Sequence, residues 1–273
     1  MSLKSFLEGN ADVRAQFLAH FKKPDFRLTS PLLAPPLSEN YGLVGTAFDY
    51  LLRFYLEKLN PGTKSGPWIA DSGLEILLAN SDRARARVAM RLMAEAKERY
   101  NAFLKSTRTG PSPALIKATL WLASFDVVFR AGLLDLRLPT RVQDVLVKDL
   151  QKMLSLVPKE HFRAKKRCVL NPTFGRGSLL VGGADGDLII DDTLVDIKTT
   201  KHLTFEREFF NQLIGYYVLS CIGGIDDCAR GKITHVAIYY ARYGVLHRVS
   251  LSDCHNQSDL PKFIRWFQQR ARS

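Results

Sequence analysis

The sequence predicts an α/β protein in which helices cover the faces of a mixed β-sheet. Residues 188–198 and 233–251 show the alternation of apolar and polar side chains that is typical of paired strands. The segments around them carry apolar residues at the spacing of a helix that buries one side. Strands that are separated by helices favour a layered α/β architecture.

Length and composition indicate one folded domain. The chain has 273 residues, of which 46% are hydrophobic, enough for a packed core. Proline and glycine interrupt the helical pattern near residue 61, and the next hundred residues show no strand alternation. We therefore expect a single domain over residues 1–273, with a helical insertion at 61–160 after the first core helix and the main sheet and catalytic motifs at 165–273.

Within this framework each element has a predicted position. The predicted helices are 12–21, 42–59, 81–105 capped by Ser81, 112–129, one starting at Pro139 and Thr140, 206–220 capped by Thr204, and 261–272. The predicted strands are 178–181, the hairpin 188–198 and a second hairpin formed by 233–241 and 244–251. A proline-rich segment at 30–37 is expected to be extended.

The first hairpin is the candidate functional element. If Asp191 and Asp192 form its two-residue loop, Ile190 pairs with Thr193, and the same register sets Asp187 opposite Asp196. Cross-strand neighbours on one face lie about 4.5 to 5.5 Å apart between Cβ atoms, so two acids there repel each other. One face of each strand is apolar, which predicts a half-buried pair.

A cation is needed beside these acids. Lys198 points to the same face as Asp196, but one lysine leaves a surplus negative charge. Carboxylate ligands without a nearby thiolate or imidazole favour Mg²⁺ or Mn²⁺ over zinc. The alternative is a solvated outer face, with Asp187 at a glycine-rich turn.

The helix after the hairpin carries polar residues on an otherwise apolar surface. Glu208, Gln212 and Tyr216 recur at every fourth position and share a face. Buried polar groups need partners, which the hairpin can supply. Without the hairpin, a locally satisfied pair of Gln212 and Tyr216 is the simpler interpretation.

The order Asp187, then Asp196-Ile197-Lys198, then Gln212 to Tyr216 resembles the PD-(D/E)XK nuclease superfamily. The similarity is to its RecB-type branch, with the motifs G-x-x-D, D-x-K and Q-x-x-x-Y. The resemblance implies a restriction-endonuclease-like fold and Mg²⁺-dependent hydrolysis of phosphodiester bonds, with Mn²⁺ as a substitute. It implies catalytic roles for Asp187, Asp196, Lys198, Gln212 and Tyr216, and we expect Asp187, Asp196 and the carbonyl of Ile197 to bind the metal.

An upstream helix adds a further acid. Residues 45–49 fit the G-x-x-x-H motif of the same branch, except that Asp49 replaces histidine. Asp49 is therefore a candidate metal ligand, and Glu57, on the same side of that helix, is the alternative. Both acids can instead form an ordinary ladder of ion pairs with Arg53.

Charge favours a polyanionic partner. Lysine and arginine outnumber aspartate and glutamate by 39 to 27, a formal net charge of +12. The basic residues just before the hairpin are the predicted nucleic-acid contacts, and they are Arg163, Lys165, Lys166 and Arg167.

No apolar run is long enough to predict a membrane segment, and a cytoplasmic protein is expected. Cys168, Cys221, Cys228 and Cys254 lack paired spacing and are interpreted as free thiols. The cysteine trio of the iron-sulfur nucleases in the resembled branch is missing, so no such cluster is expected.

The sequence thus predicts a metal-dependent nuclease acting on DNA, with RNA as a second substrate class and repair, mobile-element processing or phage defence as compatible roles. Whether the chain has a protein partner is left open by the sequence. Two alternatives stay open: a nucleic-acid-binding protein with a decayed site on the same fold, and a phosphohydrolase acting on small nucleotides.

Overall fold

A computed structural model describes residues 2–131, 142–225 and 232–273 of the chain. Within these residues, six strands form one mixed sheet, and helices pack against both of its faces. The predicted α/β class with a mixed, helix-flanked sheet is confirmed.

The strands follow each other across the sheet in the order of the sequence. They are β1 (Lys64–Ser65), β2 (Cys168–Leu170), β3 (Leu188–Ile190), β4 (Thr193–Lys198), β5 (His235–Tyr240) and β6 (Val245–Ser250). The pairs β1–β2 and β4–β5 are parallel, and the other neighbours are antiparallel. Parallel neighbours need a crossover connection, which a helix supplies between β4 and β5.

The helices occupy most of the remaining described chain. They are α1 (Leu3–Gly9), α2 (Ala11–His20), α3 (Tyr41–Leu59), α4 (Ile69–Asn80), α5 (Arg83–Lys105), α6 (Pro113–Ala131), α7 (Asp144–Ser155), α8 (Lys159–Phe162), α9 (Arg176–Leu180), α10 (Arg207–Gly223) and α11 (Leu260–Arg270). In these described ranges, no helix combines the length and the apolar character that a membrane span requires.

Both faces of the sheet are buried. Ile189 and Leu194 pack under α1, α2, α10 and α11, whereas Leu188 and Val195 pack under α3 and α7. A third apolar cluster lies among α3, α4, α5 and α6. The expectation of a half-buried first hairpin is therefore wrong, because α10 covers the side of β4 that carries Asp196.

Several predicted helix boundaries shift. Asp82 caps α5 through a bond to the backbone N–H of Arg85, one residue after the predicted Ser81. Thr204 does not cap α10, because the helix begins at Arg207 and its N-cap is Glu206. The carbonyl of Thr204 accepts a bond from the Tyr240 hydroxyl at 2.7 Å. The helix expected to begin at Pro139 and Thr140 is seen from Asp144 as α7, and those two residues lie outside the described ranges.

The strand predicted at 178–181 is also wrong. Residues 176–180 form the short helix α9, and β2 is the strand that precedes the first hairpin. Gly175, with a φ of 50°, turns the chain before the helix, and the backbone of Gly177 packs against that of Leu219 so closely that a Cβ would lie 2.5 Å from the Leu219 oxygen. Leu179 is left 81% exposed. An apolar run of three residues, 179–181, does not distinguish a strand from a helix, and the packing of Gly177 decides between them.

The segment predicted as a helical insertion contributes to the sheet. It contains β1, which pairs with β2, and α7, whose Leu150 and Met153 pack on the same core as β3 and β4. The helices α4, α5 and α6 pack chiefly on one another and on α3. Strand content in this segment was missed because β1 is only two residues long.

One buried ion pair connects distant segments at the end of β4. Arg242 and Asp149 are each about 1% exposed, and two nitrogens of the guanidinium contact the two carboxylate oxygens at 2.8 and 3.1 Å. Arg242 also donates to the carbonyls of Ala34 and Thr199. The proline-rich segment, α7 and the chain just after β4 are thereby held together.

Breaking this pair should destabilise the fold. Arg242→Met leaves the Asp149 carboxylate buried without its partner, which should lower the free energy of unfolding by about 3 to 5 kcal/mol. Asp71→Asn removes a half-exposed pair with Lys97 and should cost no more than about 1 kcal/mol. Denaturant unfolding measures both, and equal losses in the two variants would contradict the role given to Arg242.

Candidate active site and metal centre

The first hairpin folds in the predicted register. Ile190 pairs with Thr193 and Leu188 with Val195, so Asp187 and Asp196 continue the ladder as neighbours at its open end. Oδ2 of Asp187 accepts a hydrogen bond from the backbone N–H of Ile197 at 2.6 Å. This bond fixes the Asp187 carboxylate beside β4.

The position of Asp187 makes its ionisation costly. Burial raises the pKa of Asp187 well above its usual range, and the negative charges of Asp196 and Asp49 raise it further. Asp196 itself is 4% exposed. A buried carboxylate pair of this kind is stable in its charged form only next to cations.

Lys198 supplies one of these cations. Its Nζ lies 2.7 Å from Oδ2 of Asp196 and donates to Oε1 of Gln212 at 3.2 Å. The ammonium also lies 4.8 Å from the ring centre of Phe209. Burial alone would lower the pKa of Lys198, but Asp196 and Asp187 raise it above its ordinary value, so the lysine is charged at neutral pH.

The predicted polar face of α10 joins the same network. Nε2 of Gln212 donates to the Tyr216 hydroxyl at 3.0 Å, and the Tyr216 ring stacks on Phe174 at 5.6 Å. Burial, and then the charge of Asp187, raises the pKa of Tyr216. The tyrosine therefore stays protonated, and its hydroxyl can orient Gln212. Glu208, predicted to share this face, is exposed at the start of the helix.

Asp49 reaches the site from α3. Gly45 allows the approach, because a Cβ there would lie 3.0 Å from the Thr199 hydroxyl, next to the end of β4. The carboxylate of Asp49 is 2.5 Å from Nη2 of Arg53, which is 5% exposed and stacks on Tyr50 at 4.4 Å. Burial raises the pKa of Asp49, and Arg53 opposes that effect.

Glu57, the alternative acid on α3, is engaged elsewhere. It accepts a bond from the Tyr100 hydroxyl at 2.7 Å. It lies two turns beyond Asp49, about 12 Å along the helix axis. Of the two acids, Asp49 is the one whose charge acts on Asp187.

Sequence reasoning missed two acids and an arginine at the edge of the site. Arg130 pairs with Asp126 at 2.6 Å and with Asp185 at 3.4 Å, and Asp126 also accepts from Tyr50. Two signals were available in the sequence. Asp126 is an acid in an otherwise apolar stretch of α6. Asp185 follows Gly182 at the spacing of the G-x-x-D motif, whereas the residue three positions before Asp187 is Ala184 and not glycine.

The donor set suits a hard cation but is not assembled into a complete metal site. Among the described residues, no group of three or more His, Cys, Asp or Glu side chains is arranged to hold a metal. Arg53 and Lys198 each occupy an oxygen of an acid that a metal would use, while Oδ1 of Asp49 is buried without a hydrogen-bond partner. Three carboxylates face two cations here, so the chemistry fits a bound Mg²⁺ or Mn²⁺.

The predicted basic contacts lie at the other end of the hairpin. The backbone N–H groups of Lys165, Lys166 and Arg167 bind the Asp191 carboxylate, and these bonds lower the pKa of Asp191 although burial alone would raise it. Asp191 is in the loop before β4, and Lys198 ends that strand. The acid Asp196 lies three residue steps from the start of β4, about 10 Å along the strand. The structure therefore does not bring these residues to the acids, and their role in binding stays a prediction.

Three of the four cysteines are described, and all three are free thiols as predicted: Cys168, Cys221 and Cys254. Cys228 lies outside the described ranges.

The acidic cluster should bind divalent cations through the hairpin. Asp187→Asn or Asp196→Asn should remove most Mg²⁺ or Mn²⁺ binding, because each removes a charged oxygen donor. Asp49→Asn should weaken binding, and Glu57→Gln, on the same helix, should leave it unchanged. Isothermal titration calorimetry measures all four variants. Wild-type affinity in both hairpin variants would exclude this metal centre.

Comparison with known proteins does not identify a family for this chain. No family model, no curated protein and no solved structure matches it. What the chain does must therefore be inferred from its own residues.

Proposed function

We propose that this chain is a metal-dependent nuclease of the PD-(D/E)XK type, with a restriction-endonuclease-like sheet and DNA as its substrate. One observation carries the proposal: Asp187, Asp196, Lys198, Gln212 and Tyr216 form one connected cluster across β3, β4 and α10. The positive net charge of the chain supports a polyanionic substrate.

Hydrolysis of a phosphodiester needs an activated water and stabilisation of the charge that develops on the phosphate oxygens. Asp187 and Asp196, with Asp49 and the Ile197 carbonyl, would hold a Mg²⁺ ion, which when bound acidifies water and polarises the phosphate. The N–H group of Ile197 already holds Asp187 in place for this role.

Lys198 has a separate task. Its charged ammonium contacts both Asp196 and Gln212, and these two contacts hold the side chain in one rotamer. From there it can hold the attacking water or offset negative charge on the phosphate oxygens. Because that charge grows only towards the transition state, Lys198 acts on the rate more than on substrate binding.

Gln212 and Tyr216 are positioning residues in this scheme. The Tyr216 hydroxyl receives the Gln212 amide N–H, which leaves Oε1 of Gln212 directed at Lys198. Phe174 stacks on Tyr216 and limits its movement. The glutamine and tyrosine thus set the direction of the lysine amino group.

Lys198→Ala should reduce DNA cleavage by about 100-fold or more, because it removes a group used in the transition state. DNA affinity measured in chelator should change little. Circular dichroism should confirm that the variant is folded. Lys198→Met keeps most of the length of the side chain but removes its charge, so an equal loss of cleavage in this variant would show that the charge matters and not the packing. Lys152→Ala, an exposed lysine on α7, serves as the matched control.

The same assay separates the proposal from its alternatives. Cutting by Lys198→Ala at the wild-type rate would refute the role of the cluster. Hydrolysis of free nucleotides without cleavage of DNA would favour a phosphohydrolase instead.

A further inference from the structure

A cleft of about 850 Å³ lies beside the start of α10, outside the acidic cluster. It is bounded by the end of α2, the chain that follows it, the residues before α11 and the first turn of α11. Its lining includes six basic or titratable nitrogen-bearing side chains: His20, Lys22, Lys23, Arg207, His255 and Lys262.

Positive charge dominates this cleft. Lys22, Lys23, Arg207 and Lys262 line it together with two acids, Asp253 and Asp259. In the part of the chain that the structure describes, no ion pair joins any of these four cations to a carboxylate. By contrast, the buried cations Arg53 and Arg242 each pair with a carboxylate.

Two of the four cations are held in place by the surrounding core, whereas Lys22 and Lys262 are exposed. Arg207 donates to the carbonyl of Phe21 at 3.0 Å, and the ammonium of Lys23 lies 5.1 Å from the ring centre of Phe205. The backbone N–H of Lys22 donates to the carbonyl of Cys254 at 2.7 Å. Fixed cations lose less conformational entropy when they bind an anion than mobile ones do.

The cleft is close to the acidic cluster along α10. Arg207 begins this helix, and Gln212, which holds Lys198, follows five residues later, about 7.5 Å along the helix axis and about 140° around it. A nucleic-acid backbone covers that distance within a few nucleotides. The backbone of residues 165–167 instead binds Asp191, at the opposite end of β4.

We propose that this cleft binds the phosphate groups of the nucleic-acid strand whose cleavage the acidic cluster performs. The proposal rests on the proposed nuclease function. It assigns the electrostatic contacts to Lys22, Lys23, Arg207 and Lys262, with base-independent recognition, because lysine and arginine bound to phosphates carry no sequence information.

The experiment compares two triple variants with equal changes in charge. Lys22→Gln, Lys23→Gln and Lys262→Gln together neutralise the cleft but keep Arg207, which is bound to the Phe21 carbonyl. Lys105→Gln, Lys148→Gln and Lys152→Gln remove three exposed lysines elsewhere. Binding of a labelled DNA oligonucleotide and of inorganic pyrophosphate is measured in chelator over a range of salt concentrations, and cleavage is measured separately with Mg²⁺.

The cleft variant should bind DNA at least about tenfold more weakly at low salt, and its salt slope should fall by about two to three units, near one for each lost phosphate contact. The control variant should keep both values close to wild type. Equal losses in the two variants would show a general charge effect and overturn the proposal. Loss of pyrophosphate binding with DNA binding intact would also overturn it, since the cleft would then serve a small phosphate compound.

Binding in chelator and cleavage in Mg²⁺ report on different claims. Salt-dependent DNA binding through the cleft without any cleavage would refute the nuclease function and leave the cleft as a phosphate site. Cleavage that depends on Lys198, combined with wild-type binding by the cleft variant, would refute the cleft alone.

Discussion

The register of the β3–β4 hairpin places Asp187 and Asp196 side by side where α10 covers the sheet. Two carboxylates in this position cannot both be charged at low cost unless cations lie next to them. Lys198 provides one such charge and is bonded to α10 through Gln212. The packing of α10 on the sheet and the charge balance of the hairpin therefore depend on each other, because Lys198 contacts both Asp196 and Gln212.

The remaining elements extend the same pattern of acids matched by fixed cations. On α3, Arg53 faces Asp49, and on α6, Arg130 joins Asp126 to Asp185 next to the hairpin. The pair of Arg130 and Asp185 connects α6, a helix after residue 61, to the chain that leads into the hairpin. At the end of β4, Arg242 holds the carbonyl of Thr199, the residue that follows Lys198. The helical part of the chain thus contributes to the electrostatics of the hairpin as well as to the apolar core.

The spacing of residues along the chain predicted the features that depend only on neighbouring residues. The hairpin register followed from alternation and a two-residue loop, and the ladder Gln212–Tyr216 followed from fourth-residue spacing on α10. Tertiary contacts decided the rest. The strand predicted at 178–181 is a helix because the backbone of Gly177 packs on Leu219, and the basic residues 165–167 lie at the loop end of the hairpin because their N–H groups bind Asp191. Sequence adjacency to a hairpin does not say which of its two ends a segment approaches.

The central claim is that these carboxylates and Lys198 cut phosphodiester bonds with the help of a divalent cation. It is tested most directly by incubating the wild-type protein with end-labelled single- and double-stranded DNA and RNA of matched sequence, in Mg²⁺, in Mn²⁺ and in chelator. We expect cleavage of DNA in either metal and none in chelator. Cleavage that continues in chelator, or no cleavage of any substrate in either metal, would contradict it.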